Sequence, residues 1–127
     1  MNNSPQAAAN SEQAAALIEM FYNDFVYDCY SVEVRYNRSR VRQELIDSGP
    51  AMLGHVADLI EDKFPNLNTA NSASDEVNWD LFAYIAWLIA DIRRTYNLPD
   101  GPYTPDFRFG KQDMSKWRDY CRENATS

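Results

Sequence analysis

The sequence holds a single histidine, His55, and two cysteines, Cys29 and Cys121, far apart and without CxxC spacing. Zinc clusters and dithiol redox centres need several such ligands at short, regular intervals, so neither signature is present. Any Ser-His-Asp or Cys-His mechanism would have to run through His55, and no GxSxG elbow or matching cysteine signature accompanies it. The four glycines, Gly49, Gly54, Gly101 and Gly110, are scattered, which excludes a glycine-rich loop of the kind that cradles phosphate.

Long apolar runs are missing too. The most hydrophobic stretch, Leu81 to Ala90, falls short of the ~20 residues that span a bilayer. The opening MNNSPQAAAN has neither a basic start nor an apolar centre, so it does not resemble a secretory signal, and a cytoplasmic location is expected. Basic residues are few: twelve Lys and Arg against nineteen Asp and Glu give a net charge of −7. Such a balance repels nucleic-acid phosphates and anionic membranes, so neither is an expected partner, whereas a basic protein would be attracted.

Aromatic side chains are plentiful: three Trp, eight Tyr and six Phe in 127 residues. Each can bury ~150–250 Å², enough to build a core without metal or disulfide. As lone cysteines, Cys29 and Cys121 read as small hydrophobes, although a bridge between them would be feasible in an oxidising compartment.

Helical spacing runs through most of the chain. Residues 1–10 are small and polar and read as a disordered tail, and residues 11–124 as one helical domain. Asn10 or Ser11 resembles an N-cap, and Ile18, Phe21, Tyr22, Phe25, Cys29 and Val32 then recur at intervals of three and four, predicting a helix from Ser11 to about Tyr30. Val32, Val34 and Tyr36 alternate as a strand would. A lone strand has no partner in this sequence, so residues 30–36 are read as a helical continuation ending or kinking near Asn37.

A short helix over Arg38–Asp47 turns Val41 and Leu45 inward, and Gly49 ends it. Pro50 opens a helix to Phe64 with Met52, Leu53, Val56, Leu59, Ile60 and Phe64 on its inner side, and Pro65 closes it. After a polar loop from Pro65 to Ser74, Val77–Ile92 is apolar almost all round, which marks a helix buried among others. Asn97–Gly110 carries Pro99, Pro102 and Pro105 with Tyr103, Phe107 and Phe109, and a last helix runs from about Asp113 to Glu123. The expected class is all-α, a compact bundle or truncated α-solenoid of about five helices, with the Pro/Gly-rich aromatic loop before the last.

Val41 to about Thr95 resembles a single HEAT-type helical repeat. The likeness rests on the turn Leu45, Ile46, Asp47, Ser48, Gly49, on Pro50 and Ala51 opening the next helix, and on the alanine stripe through Trp79, Ala83, Ala86 and Ala90. It departs from the family in the length of the loop over 65–74 and in having Asn78 and Trp79 where an Arg is usual. The resemblance implies helix pairs that stack and present a surface to protein partners.

Three constellations bear on function. His55, Asp58 and Asp62 share a helix face and could converge on a divalent cation, although a solvated face carrying one histidine accounts for them as well. Arg35, Arg38, Arg40 and Arg42 could grip a phosphate or an acidic partner; pairing with nearby Glu33, Glu44 and Asp47 is the simpler account. Tyr103, Phe107 and Phe109 are expected to bind a partner. The function expected is thus a non-catalytic protein-interaction module without cofactor, of the kind seen in small bacterial adaptors and immunity or antitoxin proteins. The alternative is a small metal-dependent hydrolase acting through His55, Asp58 and Asp62.

Overall fold

A computed structural model describes residues 5–64, 79–99, 101 and 111–125. Among these residues there are six helices and no strand: α1 (Pro5–Tyr27), α2 (Val32–Arg38), α3 (Arg42–Asp47), α4 (Met52–Lys63), α5 (Trp79–Tyr96) and α6 (Lys111–Asn124). The all-α class is as expected, with one helix more than the periodicity gave.

The extra helix arises where the chain leaves α1. The Asp28 carboxylate accepts the Tyr30 N–H at 3.0 Å, and the Ser31 hydroxyl accepts the Val34 N–H at 3.4 Å as the N-cap of α2. Short polar side chains that capture backbone N–H groups in this way interrupt a helix. Arg35 closes the other side of the gap, donating from Nε to the Tyr30 carbonyl at 2.7 Å and from Nη1 to the Phe25 carbonyl at 3.3 Å. Residues 32–36 are therefore helical but do not continue α1. At its start α1 reaches back to Pro5, so Asn10 and Ser11 lie within it instead of capping it, and it enters the stretch read as a tail. Proline suits a first helical turn, and the alanines that follow it favour the helix.

Two other helix ends follow from backbone handedness. Gly49 stands just past α3 with φ +95°, and a side chain there would meet nothing within 4 Å, so the glycine is needed for its dihedral and not for space. At the end of α5, Asn97 takes φ +54° and the Leu98 N–H returns to the Arg93 carbonyl at 3.0 Å, a Schellman closure.

α5 is the central element. Leu81 through Ala86, Leu88, Ile89 and Ile92 are all buried, which fits its apolar character all round. Trp87, expected in the core, is half-buried and sets its ring 5.7 Å from that of Tyr36. α2 and α3 pack on α5, α4 packs chiefly on α6, and α1 lies against α4, α2 and α3. The buried side of α1 is Ile18, Phe21 and Phe25; Cys29, expected on it, is exposed. Phe21 stacks on Tyr84 with centroids 4.2 Å apart, and Tyr36 meets both rings edge-on at 6.2 and 5.9 Å. Buried hydroxyls need acceptors. Tyr84 donates to the Phe21 carbonyl at 2.6 Å, Tyr96 to that of Ile46 at 2.7 Å, and Tyr120 to that of Pro99 at 2.6 Å. The inner side of α6, Met114, Trp117, Tyr120 and Cys121, is the one its spacing predicts.

Candidate functional site

The basic run is used within the fold, but not with the expected partners. Arg40 places Nε and Nη2 at 3.0 and 2.8 Å from Asp24 Oδ1, while Oδ2 accepts from the Arg40 N–H and the Ser39 hydroxyl, each at 3.0 Å. Arg35 covers the Phe25 ring at 4.5 Å and approaches Asp80 at 3.9 Å. Arg42 lies over the Tyr36 ring at 5.1 Å and 4.0 Å from Asp91, and Arg38 over the Tyr30 ring at 4.7 Å. Asp24, Asp80 and Asp91 come from α1 and α5, so these arginines tie α2, the α2–α3 turn and the start of α3 to the helices around them. Glu33, Glu44 and Asp47, the sequence neighbours, take no part in these pairs. Asp91 also accepts from the Tyr36 hydroxyl and from Arg94, and burial, with Asp91 adding to it, pushes the Tyr36 pKa up.

The metal candidates are drawn in different directions. Asp58 lies 3.0 Å from Arg122 on α6, which also binds Glu61, and Asp62 lies 3.0 Å from Lys63. His55 lines a groove against α1. Among the described residues no group of three His, Cys, Asp or Glu is arranged to hold a metal ion. Lys63 in turn rests 4.1 Å from the Tyr22 ring centroid, and its hydrogen bond to Asp62 raises its pKa. Both cysteines are free, so the Cys29–Cys121 bridge does not form; burial pushes the Cys121 thiol up, against the opposing charge of Arg122. A thiol held protonated is a poor nucleophile.

Among the described residues, the apolar surface left open to a partner belongs to α1 and the turn after it. The first half of α1 and the α3–α4 turn enclose a groove of about 920 Å³. Ala14, Leu17 and Met52 supply its apolar surface, with Gln13, Glu44 and His55 among its polar lining. Beyond the groove, four large hydrophobic residues are exposed among the described residues: Met20 at 38%, Val26 at 47%, Tyr27 at 84% and Tyr30 at 55%. All four belong to α1 or the turn that follows it. Gln13, Ala16, Met20 and Tyr27, at intervals of three, four and seven, share one side of the helix. The first thirty-four residues contain no Lys or Arg, yet carry Glu12, Glu19, Asp24, Asp28 and Glu33.

This surface escapes a reading by periodicity, because the pattern follows the inward stripe and passes over the apolar residues that fall off it. Val26 and Tyr27 are the signal, since neither sits at the spacing of Ile18, Phe21 and Phe25. Tyr103, Phe107 and Phe109 lie outside the described residues. No helix among the described residues is long and apolar enough to cross a membrane. No protein-family model, curated protein or solved structure matches the chain.

Proposed function

We propose that the protein is a non-catalytic interaction module that docks another protein through the outer side of α1 and the turn after it. The observation that carries this reading is that Met20, Val26, Tyr27 and Tyr30, the large hydrophobic residues exposed among the described residues, all belong to α1 or the turn after it. Exposed apolar residues scattered singly need no explanation, but their concentration on one element favours a binding surface, and tyrosine is a frequent energetic centre of one. The commitment of Asp58 and Asp62 to Arg122 and Lys63 and the protonated state of Cys121 favour binding over catalysis. The likeness of residues 41–95 to a HEAT-type repeat points the same way, toward adaptor or immunity-like roles in a bacterial cytoplasm. Tyr103, Phe107 and Phe109 belong to the same proposal as a second contact region.

The test is affinity capture from cells of the source organism, followed by measurement with the purified partner. Tyr27→Ala with Tyr30→Ala should weaken binding by ~1–3 kcal/mol and leave the helical circular-dichroism spectrum intact. Full affinity in that double variant would remove this surface from the interface, and the same measurement on Tyr103→Ala with Phe109→Ala tests the loop.

A further inference from the structure

We infer that the groove between α1 and the α3–α4 turn receives a basic amphipathic helix, laid along α1 from Gln13 to Tyr27. This rests on α1 being an interface and adds the chemistry of what binds there. Fourteen residues of α1 separate the two ends of the strip, about 21 Å at 1.5 Å per residue, a length that matches about four turns of a partner helix. Apolar surface is supplied at one end by Leu17, Ala14 and Met52 in the groove and at the other by Met20 and Tyr27. A helix meets such a strip with residues at i, i+3, i+4 and i+7, burying one face and leaving its flanks over the rim.

Those flanks face carboxylates. Glu12 and Glu44 are exposed and have no ion-pair partner among the described residues. No Lys or Arg stands anywhere in α1 to compete for them. The exposed arginine nearest in sequence, Arg40, is already engaged by Asp24. A partner bearing Lys or Arg beside its apolar face would therefore find free acceptors, whereas an acidic one would meet like charge. A second copy of this chain is a poor occupant by the same argument, since its own α1 carries the same sign.

The experiment uses the full chain and three synthetic peptides of about four helical turns. One has leucines at helical spacing with lysines between them, one replaces each lysine by glutamate, and one keeps the lysines but has a central proline that breaks the helix. Binding is followed by fluorescence anisotropy and mapped by amide chemical shifts. The lysine peptide should bind, shift the amides of Ala14, Ala16, Met20 and Met52, and weaken about tenfold in Glu44→Lys and in Ala16→Arg and also with added salt. Both substitutions are at exposed positions and should leave the fold intact. Equal binding by the glutamate or proline peptide, undiminished binding in both variants, shifts confined to other surfaces, or self-association that excludes the peptide would each overturn the inference. A captured partner lost on mutating Tyr27, together with no response to the lysine peptide, would sink this inference alone and leave the interaction module standing.

Discussion

Three protons mark the core at the level of single residues. Burial pushes the Tyr84 hydroxyl above the phenolic range while it donates to the Phe21 carbonyl; burial and then Asp91 do the same for Tyr36, and burial for the Cys121 thiol. Each folded-state pKa lies above its unfolded value, ~10 for tyrosine and ~8.5 for cysteine. The unfolded chain therefore releases these protons first, and the native state keeps them. Their contribution to stability is complete below the unfolded values and falls as pH rises past them, by about 1.4 kcal/mol per pH unit for each group. Urea unfolding between about pH 8 and pH 11 should show flat stability at the lower end and a steepening loss above it. Tyr84→Phe should make that loss shallower. Stability that stays level to the top of the range would mean that these groups are hydrated in the native protein.

Among the elements, α2 depends on distant side chains, since seven residues are too few to hold a helix by its own backbone bonds. Asp24 is the main fastening, with a side chain only 12% exposed that accepts from Ser39 and Arg40 together. Asp24→Ala should cost ~2 kcal/mol in chemical denaturation, as hydrogen bonds to a charged group are lost. Combined with Arg40→Ala, the loss should fall well short of the sum of the two single variants, and strict additivity would show that the pair contributes nothing. The same fastening explains what the sequence could and could not reveal. α4, α5 and α6 were readable because their apolar spacing and the signals at Gly49 and Pro50 are local, whereas the last turn of α5, up to the closure at Asn97, lay beyond the apolar run. The break after Tyr27 depends on Asp28 and Ser31 capturing N–H groups against a strong apolar pattern, and the arginine partners lie on helices that only the fold brings near. The metal constellation was legible as a shared face, but Arg122, sixty and more residues further on, decides what Asp58 does.

At the scale of the molecule, the helix pairs interleave: α2 packs on α5, and α4 packs chiefly on α6. A chain ending before Lys111 would leave α4 without its chief packing partner, the helix that buries Met114, Trp117 and Cys121. Exposure of that much apolar surface should abolish the cooperative thermal transition, as followed by far-ultraviolet circular dichroism. A truncated chain that melts sharply would show that α6 is an accessory. Interleaving also sets a schedule during synthesis. α2 leaves the ribosome long before α5, and α4 before α6, so neither pair can close while its second member is still inside the exit tunnel. Phe21 and Tyr36 consequently stay within reach of chaperones until α5 and its Tyr84 have emerged, and the inner face of α4 until α6 follows, so the domain closes late.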